Sequence, residues 1–100
     1  MKFPYRLIKI VGDSMNPTYH DGQYKVATVN FTPQVGDVMV YPSPESGEIV
    51  IKRLTQYSPV LGLCFFEGDN PDRMKTRDSR DYGWVEEKHI IAKLIRKRRN

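Results

Sequence analysis

The chain has 100 residues, of which 39% are hydrophobic and 28% charged, with seven Gly, seven Pro and one Cys. That length holds one compact domain, and the composition is that of a folded chain, which excludes disordered and collagen-like classes. The net charge of +4 invites a nucleic-acid reading, yet Lys93, Arg96, Lys97, Arg98 and Arg99 crowd the C-terminus and leave the first 92 residues with eleven basic against twelve acidic side chains.

The body is therefore near-neutral, and residues 96–100 read as a basic tail. Such a run is usually a solvated tail, and contact with acidic lipid, nucleic acid or a partner is its other use. The longest apolar run, Val60 to Phe66, is far short of a membrane span. The start of the chain does not lead into a secretory signal, so a cytoplasmic chain is expected. One cysteine, Cys64, and two widely separated histidines, His20 and His89, make no disulfide framework and no metal-ligand spacing. No metal and no cofactor are expected.

Short β-rich runs recur between Gly, Pro, Asn and Asp clusters, and long amphipathic helical patterns are missing, which predicts an all-β domain. Seven strands are expected: Tyr5 to Val11, Gln23 to Val29, Asp37 to Tyr41, Glu48 to Gln56, Val60 to Phe66, Tyr82 to Val85, and His89 to Ile95. Between the first two, Ser14 can cap a helical turn over Met15-Asn16-Pro17-Thr18. In the fourth, two-residue periodicity puts Val50, Lys52 and Leu54 on one face and Ile49, Ile51 and Arg53 on the other. If the first face is the core side, desolvation lowers the Lys52 pKa, and a neutral lysine can take the proton of a serine hydroxyl. Gly68 to Asp81 is the longest irregular segment, and loops of that length are often functional.

The ordered strings Gly12-Asp13-Ser14-Met15-Asn16-Pro17-Thr18, Asp21-Gly22, Gly36-Asp37-Val38-Met39-Val40, Ile49-Val50-Ile51-Lys52-Arg53-Leu54, Gly68-Asp69-Asn70 and Asp78-Ser79-Arg80, followed by Gly83-Trp84-Val85, resemble the signal-peptidase family of Ser/Lys endopeptidases. The resemblance runs from Val11 to Lys93 and implies the coiled antiparallel sheets of the signal peptidase/LexA-like catalytic core, spanning residues 1–95 as a single domain.

It also implies that Ser14 attacks the scissile carbonyl, that Lys52 is the general base, and that the Ser14 amide is the first oxyanion donor. Some members add a serine hydroxyl two residues before the nucleophile, where this chain has Gly12. By the same resemblance a hydroxyl two residues before Asp78 bonds the lysine, which assigns that role to Thr76 with Ser79 as the fallback, and Asp78 pairs with Arg80. His20, in a polar turn, is the rival base and is set aside. Asp69 and Asn70 are expected to shape a turn.

The substrate is expected to be a precursor polypeptide bound as an added strand along the edge leading to Ser14, with Ile10, Val11, Gly12 and Met15 as candidate contacts. Bacterial signal peptidases carry an N-terminal membrane helix, and only 13 residues precede Ser14 here. The expectation is thus a soluble processing peptidase, similar to the small maturation proteases of the family such as the type that trims a nickel superoxide dismutase precursor. Membrane contact is expected only through the tail or a partner. The competing reading is a small β-barrel module that binds nucleic acid or protein through its aromatic side chains and basic tail, without catalysis.

Overall fold

The computed structural model describes residues 3–96. Seven strands form: β1 (Tyr5–Lys9), β2 (Tyr24–Thr28), β3 (Val38–Pro42), β4 (Ile49–Ser58), β5 (Leu63–Glu67), β6 (Val85–Glu86) and β7 (Ala92–Leu94). All pair antiparallel in one curled sheet of order β1-β2-β7-β3-β4-β5-β6. The expected all-β single domain is what forms. The helical content is one short helix, α1 (Ser79–Tyr82), and two 3-10 turns, Arg73–Lys75 and Glu87–His89.

The central strand β3 shows why the sheet curls. Its run Val38-Met39-Val40-Tyr41 is buried throughout. Alternation sends Val38 and Val40 into one apolar cluster with Ile10, Met15, Ala27, Ala92 and Leu94, and Met39 and Tyr41 into a second with Leu54, Cys64, Phe66, Val85 and Ile90. Tyr41 stacks on Phe66 with ring centroids 4.2 Å apart. The two clusters lie on opposite faces of β3, and the flanking strands wrap around to close each one.

Three strands, β5, β6 and β7, start three residues later than expected. Val60 and Leu61 are apolar but exposed, and with Gly62 at φ 64° they form the β4–β5 turn, so β5 starts at Leu63. Tyr82 ends α1 instead of opening a strand, because Asp78 caps that helix: its side chain accepts from the Arg80 amide while the Asp81 side chain accepts from the Asp78 amide. The Asp-x-x-Asp spacing was the sequence signal for that box. His89 belongs to a 3-10 turn, and β7 starts only at Ala92.

No helix among the described residues is long and apolar enough to cross a membrane. Of the basic tail, Lys97, Arg98, Arg99 and Asn100 lie outside the described residues.

Candidate active site

Two open edges frame the site. β1 is the last strand of the sheet, paired on one side only. The first half of β4, Ile49 to Lys52, pairs with β3, but β5 joins β4 only from Arg53 onward. Between these edges runs a cleft of about 440 Å³, walled by Leu7 to Gly12 on one side and Glu48 to Lys52 on the other, with Ser14 and Met15 at its end.

Ser14 lies in the β1–β2 connection. Ladder pairing continues one step past β1, with the Ile10 amide on the Gln23 carbonyl at 2.8 Å, and then the chain leaves the sheet at Gly12, whose φ of 84° suits glycine. The Gly12 amide donates to Asp21 Oδ1 at 2.7 Å, which fixes the loop's two ends together. A helical turn follows, closed by the Tyr19 amide on the Met15 carbonyl at 2.9 Å. Ser14 does not cap it with its side chain, which instead receives Lys52: Nζ donates to Oγ at 3.0 Å.

Lys52 stands where β-alternation predicts, on the buried face of β4 with Leu54 and half-buried Val50, opposite Met39 of β3. It is 5% exposed. Removal of water pushes its pKa below that of an ordinary lysine, and the Asp78 charge pulls the other way more weakly. An ammonium in that setting gives up its proton more easily than one in water.

Asp78 is fully buried and accepts bonds from Thr76 Oγ1 (2.8 Å), the Gly68 amide (2.8 Å) and Arg80 Nη2 (2.7 Å). Those donors hold its carboxyl well below the usual carboxylate range despite burial. Arg80 also reaches Glu67 Oε1 at 3.3 Å. Thr76 thus spends its hydroxyl proton on Asp78, and the bond to the lysine that the resemblance implied is not among those formed. Ser79, the fallback, is remote from that role: its Oγ accepts the Phe66 amide at 2.9 Å and anchors β5. The Thr76 oxygen keeps its lone pairs, so donating to Asp78 does not of itself exclude a bond from Lys52 Nζ, whose side-chain partner among the described residues is Ser14.

The expected cleft contacts divide by burial. Ile10 and Met15 belong to the first apolar cluster and also line the cleft, whereas Val11 is 77% exposed on its rim. His20 is exposed and its backbone amide bonds Gln23. Among the described residues no group of His, Cys, Asp or Glu could hold a metal ion.

Several residues matter more than the sequence reading assigned. Arg53, on the face opposite Lys52, forks onto Asp69 with Nε and Nη2 at 2.8 and 2.7 Å, and its Nη1 holds the Gly36 carbonyl. Asp69 Oδ2 also takes the Thr18 hydroxyl at 2.6 Å, tying β4 to the Ser14 loop. Asn70 grips the loop twice, through its amide on the Ser14 carbonyl (2.9 Å) and its Nδ2 on the Asp13 carbonyl (2.8 Å). Gly68 permits this docking: a Cβ there would lie 2.2 Å from Thr76 Oγ1 and 2.6 Å from the Ser14 carbonyl oxygen. The Gly68-Asp69-Asn70 string carried the signal, but as turn chemistry it names no partner.

The site thus sets a hydroxyl in contact with a desolvated amine at the end of a strand-walled cleft. Residues 2–95 match the model of the peptidase S24-like family, and the chain belongs to that family. That membership supports a peptidase in general terms and accords with the all-β fold. A comparison with curated proteins returned no match.

Proposed function

We propose that this protein is a serine endopeptidase in which Ser14 is the nucleophile and Lys52 the general base, and that it removes a leader or pro-segment from a precursor protein. The observation that carries the reading is the 3.0 Å contact between Lys52 Nζ and Ser14 Oγ with Lys52 out of water.

In this reading the neutral amine of Lys52 takes the Ser14 proton as Oγ attacks the scissile carbonyl carbon. The resulting ammonium then protonates the leaving amine, and an acyl ester remains on Ser14. A water, deprotonated by Lys52, attacks that ester, and the proton returns to Ser14 Oγ as the acid leaves. The oxyanion of each tetrahedral state needs a preorganised donor. The Ser14 amide donates to no partner among the described residues and is available for it. Gly12 has no hydroxyl to add, and its amide is committed to Asp21.

The substrate enters as an extended strand between the open edges of β1 and β4, its main chain pairing with one or both walls. Ile10 and Met15 form the apolar floor near Ser14, and Val11 and Gly12 its rim. Asp78, Thr76 and Arg80 are supporting residues that fix the loop behind Lys52, and Ser79 supports β5. Within the Ser/Lys peptidases, the resemblance to small soluble maturation proteases makes a nickel superoxide dismutase precursor one substrate to try.

The test is direct. Wild type, Ser14→Ala and Lys52→Ala chains are incubated with candidate precursors, and new N-termini are read by mass spectrometry. Cleavage by the wild type alone is expected; cleavage that survives both substitutions refutes the dyad.

A further inference from the structure

The cleft has one anionic wall position. Among the described residues, ten of the twelve acidic side chains are engaged by internal partners, in ion pairs (Asp37, Glu45, Glu67, Asp69, Asp78, Asp81 and Glu86) or in bonds to an amide or a tyrosine hydroxyl. The two without one are Asp13, which precedes Ser14, and Glu48, which lines the far end of the cleft. An exposed carboxylate without a partner, placed in a groove that is otherwise mostly apolar, is available to an incoming cation.

Its place on the strand defines what it meets. Val50 and Lys52 share one side of β4, and Glu48, the residue immediately before the strand, is one alternation step further back. At roughly 3.3 Å per residue, Glu48 lies about 13 Å along the strand from Lys52. A peptide lying extended in the cleft with its reacting carbonyl at Ser14 therefore brings a side chain about four residues away level with Glu48. Leu7, 70% exposed, and half-buried Val50 offer apolar surface for the stem of a long basic side chain on the way to the carboxylate. The other ionisable groups lining the cleft are Lys9 and Lys52, and neither forms an ion pair with Glu48.

We propose that Glu48 is a specificity-determining residue, selecting substrates with a Lys or Arg about four residues from the scissile bond, on the side of the peptide that occupies the β1–β4 cleft. This rests on the peptidase reading above and adds to it the charge of the substrate segment.

An exposed pair of this kind changes affinity by about twofold to fivefold, and salt screens it. The experiment uses the full chain and a randomised decapeptide library. The library is first captured on immobilised Ser14→Ala protein, with Glu48 intact, as Glu48→Gln or as Glu48→Lys, and bound peptides are sequenced by mass spectrometry. Separately, the wild type and the two Glu48 variants in a Ser14 background digest the same library, and residues flanking each cut are counted.

Expected are Lys and Arg enrichment of about twofold to fivefold with Glu48, its loss in Glu48→Gln, and enrichment of Asp and Glu in Glu48→Lys, all weakening in high salt. Charge enrichment at that distance from the cut that is the same in all three proteins overturns the proposal, as does cleavage with no charge preference. Charge-dependent capture without any cleavage by the wild type overturns the peptidase reading and leaves Glu48 as a binding determinant. No capture and no cleavage overturns both.

Discussion

Gly68→Ala is a one-methyl change that tests how the site is held together. The new Cβ would lie 2.6 Å from the Ser14 carbonyl oxygen, 2.2 Å from Thr76 Oγ1 and 2.8 Å from Thr76 Cβ. Rotation of the Thr76 side chain relieves the hydroxyl contact but not the other two. To reach ordinary contact the Ser14 backbone must retreat by about 0.8 Å. Asn70 holds that same carbonyl, so the strain falls on the loop that carries the hydroxyl. If Oγ follows the backbone, its 3.0 Å approach to Lys52 opens beyond hydrogen-bond range.

Overpacking of this size costs about 1–3 kcal/mol of stability. Misplacement of a reacting atom by nearly an ångström costs about a hundredfold in kcat/KM. Urea unfolding gives the first number and initial rates of precursor cleavage the second, with acylation of Ser14 by an active ester as a substrate-independent check. A Gly68→Ala protein with wild-type kcat/KM and an unchanged urea midpoint would show that the close approach of Gly68 to the Ser14 loop does not position the nucleophile.

Other substitutions separate catalytic from structural roles. Lys52→Met is expected to lower kcat by about 10²–10⁴, read in the same cleavage assay. Because burial depresses the Lys52 pKa below 10.5, wild-type kcat/KM should rise with pH through that lowered value, its midpoint below that of a free lysine. The stability sign follows from linkage. Between the folded and unfolded pKa the unfolded chain binds more protons, so wild-type stability climbs with pH there, and the advantage of Lys52→Met in urea melts at neutral pH shrinks toward pH 10.5. Asp78→Asn should cost about 1–3 kcal/mol by weakening the charge-assisted bonds that the buried carboxylate accepts from exposed Arg80 and from the Gly68 amide. It should also move the activity midpoint to lower pH, since the Asp78 charge favours the Lys52 ammonium. Asp78 has its folded pKa depressed, so its contribution to wild-type stability is present above the ordinary carboxylate pKa and is lost as pH falls through the folded value, a loss missing from Asp78→Asn in acid titrations. Arg53→Ala and Asp69→Ala should each destabilise, and their double-mutant cycle should show coupling above about 0.5 kcal/mol, with reduced activity because the Thr18 end of the nucleophile loop is released.

Much of this protein was legible in one dimension. Seven β-rich runs separated by turn residues anticipated seven strands, because side-chain alternation is a local property of an extended chain. The same alternation put Lys52 on the side of Leu54, away from Arg53, before any neighbour was known. Boundaries failed where local preference met a specific contact: Val60 and Leu61 look like strand but lie in an exposed turn, and Tyr82 is drawn into α1 by the Asp78 capping box. Thr76 shows the same limit. Its spacing put it beside Asp78, but spacing does not say which groups its hydroxyl meets.

The amino-acid order by itself determined the all-β class, the near-neutral body with a basic end, and the two residue types, Ser14 and Lys52, to which the proposed chemistry is assigned. It could not bring them together. They are 38 positions apart, and their contact depends on β7 inserting between β2 and β3, on Arg53 and Thr18 meeting at Asp69, and on Gly68 lying against the Ser14 carbonyl. Those are long-range events whose energy comes from burial and from charged groups finding partners once water is excluded. Only the closed fold decides that the lysine loses its water and that Glu48, exposed in the cleft, is left without an internal partner among the described residues.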